Sequence, residues 1–232
     1  KDRILFILML SIGLISGRSK FYGFFTLSVI VIIYFSNINH FKLNIKTIIL
    51  LIITLICIFI VSWKKISFYF IEGITGDAEE DTIARFVLYT TSIKILIDYF
   101  PFGSGFGSFA TYASGLYYSH IYNQYGIENV WGISKNFYSF IADTYYPSLA
   151  QFGFIGIILY ITFWIYVFKK ALTFFQKTKQ AKLMIIVLLL ICFFGIEGTS
   201  DSTITTHRGL FMMMVIGLML SEMKNKIANS KS

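Results

Sequence analysis

Apolar residues in this chain gather into runs, and the runs fall into two blocks of three. The first block holds Ile4–Ser16, Phe21–Phe35 and Ile45–Ser62; the second holds Ser148–Phe168, Leu183–Thr199 and Thr203–Leu220. A helix needs about 20 apolar residues to cross the ~30 Å hydrocarbon core of a bilayer. The first two runs are shorter, so their polar ends must count toward the crossing or the helices must lie near protein partners. The pattern predicts an all-α, polytopic integral membrane protein with about six transmembrane helices and one large extracytoplasmic loop containing amphipathic helices. The boundaries are three transmembrane helices over 1–62, the loop over 63–147, three more helices over 148–223 and a cytoplasmic tail over 224–232. Lys1-Asp-Arg3 before an apolar run has the outline of a signal peptide, but no small-residue cleavage site follows. With no initiating Met, the expectation is a chain that begins inside a larger protein, with further spans upstream.

The loop has its own pattern. Asp81, at the end of an acidic stretch, can cap a helix in which Ile83, Phe86, Val87, Thr90, Ile93, Ile97 and Phe100 recur at three- and four-residue spacing. Arg85, Tyr89 and Ser92 share the opposite face, which predicts a helix lying along the membrane surface with its apolar side down. Pro101 ends it, and Gly103, Gly105 and Gly107 then allow a tight bend and a close approach to a ligand. Residues 109–146 are rich in Tyr and Phe. They read either as an aromatic belt at headgroup level or as a stacking surface for sugar rings.

Composition agrees with membrane residence: 56% of residues are hydrophobic and 14% charged. Charge sets the orientation. With the N-terminus inside, the cytoplasmic side holds 12 basic residues against Asp2 and Glu222, and the other side holds 8 basic and 10 acidic residues. That asymmetry follows the positive-inside rule and puts the loop outside the cytoplasm. The formal net charge of +8 is thus a topology signal, and nucleic acid is not an expected partner. Cys57 and Cys192 sit inside apolar runs, and His40, His120 and His207 are scattered, so no metal site assembles locally. No Walker-type loop or dinucleotide fingerprint occurs, and no cofactor is expected.

Ionisable residues at membrane level are expensive and mark function. Arg18 lies between two spans on the side where basic residues are disfavoured, and Arg85 is a second such exception. Glu197, Asp201, His207 and Arg208 bracket the last outer turn, where a structural carboxylate–arginine pair is the alternative. A guanidinium stays charged and donates in a planar fork, which suits a diphosphate. Arg18, Arg85 and Arg208, with Gly103 and Gly105, are therefore the candidate binding residues for a lipid diphosphate and its glycan. Asp143 is the candidate base for a sugar hydroxyl. It also precedes Pro147 by four residues, so a capping or helix-dipole role is open to it. His120, Glu197 and His207 are secondary candidates.

These pieces come in an order that resembles the O-antigen ligase/polymerase superfamily, and within it the oligosaccharide repeat-unit (Wzy-type) polymerases. They are Ser-Gly-Arg-Ser between spans at 16–19, Arg85 ahead of Pro-x-Gly-x-Gly-x-Gly at 101–107, and Asp143 ten residues before Gly153, with Gly156 following. The resemblance covers essentially the whole chain, as the C-terminal portion of a family member. It implies a metal-independent glycosyltransferase that polymerises undecaprenyl-diphosphate-linked oligosaccharide repeat units into O-antigen or a related surface polysaccharide. The work would be done on the periplasmic face of the bacterial inner membrane, with a chain-length regulator as a candidate membrane partner. Ligases of the superfamily resemble His-x9-Gly where this chain has Asp143-x9-Gly153, which favours polymerase over ligase and leaves Asp143 as either a base or an arginine-orienting group. The alternatives are a ligase transferring polymer to another acceptor and a glycolipid flippase or transporter.

Overall fold

The computed structural model describes residues 2–36 and 80–229. The predicted span Ile45–Ser62 lies outside them. Among the described residues the regular structure is helical, with a single isolated bridge between Ser134 and Phe137. The helices are α1 (Asp2–Ile12), α2 (Ser19–Ser36), α3 (Glu80–Asp98), α4 (Tyr112–Leu116), α5 (His120–Gln124), α6 (Gly153–Thr178), α7 (Ala181–Glu197) and α8 (His207–Asn229). Three 3-10 segments, Gly13–Ser16, Tyr146–Phe152 and Thr203–Thr205, join them. The all-α expectation holds.

Among the described residues one stretch, Tyr146–Thr178, is long and apolar enough to cross a membrane by length and composition, and only 17% of its most apolar window is buried. Ile4–Ser16 and Lys20–Tyr34 are apolar but shorter. The apolar run predicted over Ser148–Phe168 continues ten residues further, to Thr178, because Lys169 and Lys170 are helix formers and nothing breaks the turn. The chain divides into two compact units, whose described residues are 2–36, 164–196 and 207–229 in the first and 80–163 with 197–206 in the second.

In the first unit, α1 and its 3-10 extension turn back onto α2 through Gly17, at φ 66°. Gly13 leaves room for the Phe21 ring to lie on its backbone, and the Tyr22 hydroxyl donates to the Leu14 carbonyl at 3.1 Å. Phe24 meets Phe193 edge-on, with centroids 5.7 Å apart, and Trp164 packs on Phe194. Phe174, Phe175, Met184 and Val187 are fully buried.

The second unit is built differently, around a core closed by short helices and turns. Leu88 and Ile95 of α3 enter it with Phe109, Ile121, Tyr122, Ile133 and Ile141. The buried face of α3 is thus Ala84, Leu88, Thr91, Ser92 and Ile95. This corrects the expectation of a helix resting only on a membrane surface with Ser92 on its free side. The helix is apolar on two faces, and the second, with Ile93, Ile97 and Phe100 60–70% exposed, is the one the spacing picked out. That free stripe continues through Phe102 and Phe106, which touch the α6 entry where Phe100 meets Phe154 and Phe106 meets Phe152. α3 starts at Glu80, which puts Asp81 in its first turn. Inside the core the Tyr122 hydroxyl accepts from the Ala110 N–H at 3.0 Å and shares a hydrogen bond with Ser114, which is how a buried phenol avoids a desolvation cost of about 1–3 kcal/mol.

The glycine bend closes on the chain itself. A Cβ on Gly103 would stand 2.3 Å from the Gly153 nitrogen, and one on Gly153 would stand 2.3 Å from the Pro101 oxygen. Gly153 also holds φ 63°, ψ −162°, a region open essentially to glycine alone. Gly153→Ala should therefore cost about 1–3 kcal/mol in backbone strain and a further ~1–3 kcal/mol in overpacking. Gly105→Ala, whose Cβ would meet nothing within 4 Å, should lose only the ~1–2 kcal/mol of its left-handed backbone. Thermal unfolding of the two variants in detergent, with Gly153→Ala melting well below Gly105→Ala, checks this assignment.

Candidate functional site

Arg85 stands in the second turn of α3, and Asp143 lies 58 residues later in the segment leading to the 3-10 entry of α6. They form an ion pair. Arg85 Nε donates to Asp143 Oδ2 at 2.8 Å, and Arg85 Nη2 donates to the same oxygen. The Arg85 side chain is 20% and that of Asp143 33% exposed, so the pair sits at the edge of the second unit and is reachable from outside it. Both bonds end on Oδ2, and Asp143 Oδ1 accepts none from the described residues.

Asp143 does not cap a helix. The 3-10 segment Tyr146–Phe152 has Tyr145 as its N-cap residue, makes no side-chain cap bond and carries Pro147 at its start. The carboxylate is instead committed to Arg85, which overturns the capping alternative. Its position is fixed from the backbone: the Asp143 N–H donates to Phe140 O at 3.2 Å.

The turn 198–202 ties the two partners' elements together. Tyr89, one turn beyond Arg85 on α3, donates its hydroxyl to Thr199 O at 2.8 Å. The N–H groups of Tyr145 and Tyr146 both point to Gly198 O, and Ser202 donates to Ala142 O. Burial pushes the Tyr89 hydroxyl up to about 12, against the opposing pull of Arg85, and pushes Tyr145 up to about 12 with help from Tyr160. Both phenols are neutral donors at physiological pH, and neither is a base.

A second polar residue holds the glycine bend. Gln151 is 4% exposed. Its side-chain oxygen accepts from the Gly107 N–H at 2.6 Å, and its backbone oxygen accepts from the Gly105 N–H at 3.0 Å. Gly103, assigned to ligand contact from the sequence, spends its missing side chain on Gly153 instead. Gly105 faces open space. The signal for Gln151 was a lone amide inside Pro147-Ser-Leu-Ala-Gln-Phe-Gly153, at the mouth of an apolar helix.

The remaining sequence candidates are distributed over both units. Arg18 is exposed in the α1–α2 turn, and His207 and Arg208 are exposed in the first turn of α8, all in the first unit. Glu197 ends α7 at half exposure within the second unit, and His120 opens α5 at its surface. Arg85 and Asp143 are thus the pair that the second unit brings together. Among the described residues no group of three or more metal-ligating side chains assembles.

An apolar groove of about 370 Å³ runs beside the pair's segment, from Tyr145 and Leu149 to Ile155, Leu159 and Tyr160. A second, polar cleft of about 420 Å³ opens between α5 and the 128–136 loop.

No family model, curated protein or solved structure matches this chain.

Proposed function

We propose that this chain is the C-terminal portion of a polytopic inner-membrane glycosyltransferase, with six spans counting Ile45–Ser62, that polymerises undecaprenyl-diphosphate-linked repeat units on the periplasmic face. The observation that carries the reading is the Arg85–Asp143 pair: a guanidinium and a carboxylate from two distant segments, 20% and 33% exposed, beside an apolar groove at the mouth of an apolar helix. The groove suits the first isoprene units of a lipid carrier. The guanidinium suits the diphosphate, and the carboxylate suits an acceptor hydroxyl. The exposed stripe from Ile93 to Phe106 would rest against the headgroup region.

In the reaction, an acceptor hydroxyl oxygen attacks the anomeric carbon of the lipid-linked glycan. The bond from that carbon to the diphosphate oxygen breaks, and the lipid diphosphate leaves with the electron pair. Asp143 takes the hydroxyl proton on its open oxygen, and Arg85 neutralises charge growing on the leaving diphosphate. No nucleotide is required, because the donor arrives already activated.

Ligase and flippase are the competing readings. Deletion of the gene, followed by gel analysis of surface polysaccharide, separates them. The polymerase reading expects single repeat units on the core. Bare core would indicate a ligase, and lipid-linked units trapped inside the cell would indicate a flippase.

A further inference from the structure

The second unit carries a polar cleft that the ion-pair chemistry does not use. It lies between α5 and the loop 128–136, and at about 420 Å³ it falls within the ~300–1,000 Å³ range of small-molecule sites. Three amides line it, Asn123 from α5 and Asn129 and Asn136 from the loop. Each amide offers a donor and an acceptor side by side. Two further groups belong to residues of the cleft wall: the Tyr118 hydroxyl and Glu128 Oε2 are both buried, and neither makes a hydrogen bond to a described residue. A buried polar atom left in that state costs about 1–3 kcal/mol.

The charges narrow the ligand. His120 and Lys135 line it, but so does Glu128, so a diphosphate would meet a carboxylate. Tyr118 is held protonated, its hydroxyl pushed up by burial and then by Glu128, and it is therefore a donor. A carboxylate acceptor, a phenol donor and three amides form a set that matches vicinal hydroxyls, each of which both gives and accepts a hydrogen bond. On the same loop Trp131 and Phe137 pack at 4.6 Å between centroids and remain 46% and 41% exposed. They offer apolar ring faces of the kind that a sugar's C–H face covers.

We infer that this cleft is a sugar-binding subsite that takes one neutral hexose or N-acetylhexosamine unit through Asn123, Glu128, Asn129 and Asn136, apart from the Arg85–Asp143 pair. Its assignment to a glycan chain in catalysis rests on the glycosyltransferase reading; its ability to bind a sugar does not.

The test is saturation-transfer NMR on the full chain in lauryldimethylamine oxide, which carries no sugar headgroup. The probes are D-glucose, D-galactose, N-acetyl-D-glucosamine and N-acetyl-D-galactosamine. At least one should receive saturation. The Asn129→Ala/Asn136→Ala variant, altered at two exposed positions, should weaken it about tenfold, the loss expected from two neutral hydrogen bonds. Arg85→Ala should leave it unchanged. Transfer to none of the four sugars, transfer that survives the double substitution, or transfer lost with Arg85→Ala would each overturn the proposal. Glu128→Gln, which keeps an acceptor in place, serves as a second variant: it should retain binding if the double variant fails to fold, and loss of binding in a folded Glu128→Ala is then required. Sugar binding that behaves as expected in a protein unable to polymerise would remove the polymerase reading and leave the cleft standing.

Discussion

Arg85→Lys should abolish long-chain polysaccharide almost as completely as Arg85→Ala, at unchanged protein level. The expectation follows from geometry. The guanidinium reaches Asp143 through Nε and Nη2 together, in the planar fork that also suits a diphosphate. A lysine ammonium is a single hydrated point and cannot hold the carboxylate and the leaving group at once. Loss of one preorganised donor at a developing charge costs on the order of 10²–10³ in rate. The structural cost is smaller. A charge-assisted hydrogen bond contributes about 1.5–3 kcal/mol when buried and less where a third of the carboxylate meets solvent, as it does here. Folding should therefore survive. Gel profiles of surface polysaccharide from cells carrying each variant read the result, and normal chain length in both would remove Arg85 from the site.

Asp143→Asn should be as severe in turnover and milder in stability. An amide oxygen still accepts from Arg85, so the pair's geometry is kept at a loss of about 1–2 kcal/mol. It cannot take a hydroxyl proton, and loss of a general base lowers rate on the order of 10²–10⁴-fold. The alternative role, orienting Arg85, makes a different prediction. The charge-exchanged variant Arg85→Asp/Asp143→Arg would restore an ion pair, and with it folding, but not the proton acceptor beside the groove. Turnover recovered by the exchange would make the pair structural and move the base elsewhere, with Glu197, His120 and His207 next in order.

Much of the helical framework could be read from the sequence because long apolar runs have few alternatives. The 153–178 helix and the short pair before Ser36 fall where the runs are. Arg85 and Asp143 were legible as charges in an apolar setting, but their pairing was not, because nothing local couples residues 58 apart. The core of the second unit was missed for a related reason. Its members Phe109, Tyr122, Ile133 and Ile141 come from five-residue helices and turns, which carry no period, so buried aromatics looked the same as belt aromatics. Gln151 and the Gly198–Ser202 turn act largely through backbone hydrogen bonds, and residue type gives almost no hint of those. At the glycine bend the spacing was informative, and the close approach seen there is between Gly103 and Gly153.

The most direct measurement is in vitro polymerisation of purified undecaprenyl-diphosphate-linked repeat units by the full-length protein in detergent, without added nucleotide or metal and with chelator present. The account predicts a ladder of lengthening glycan from the unaltered protein and single repeat units from Asp143→Asn at the same folded fraction. A ladder of normal length and rate from Asp143→Asn, or none from the unaltered protein, would contradict it.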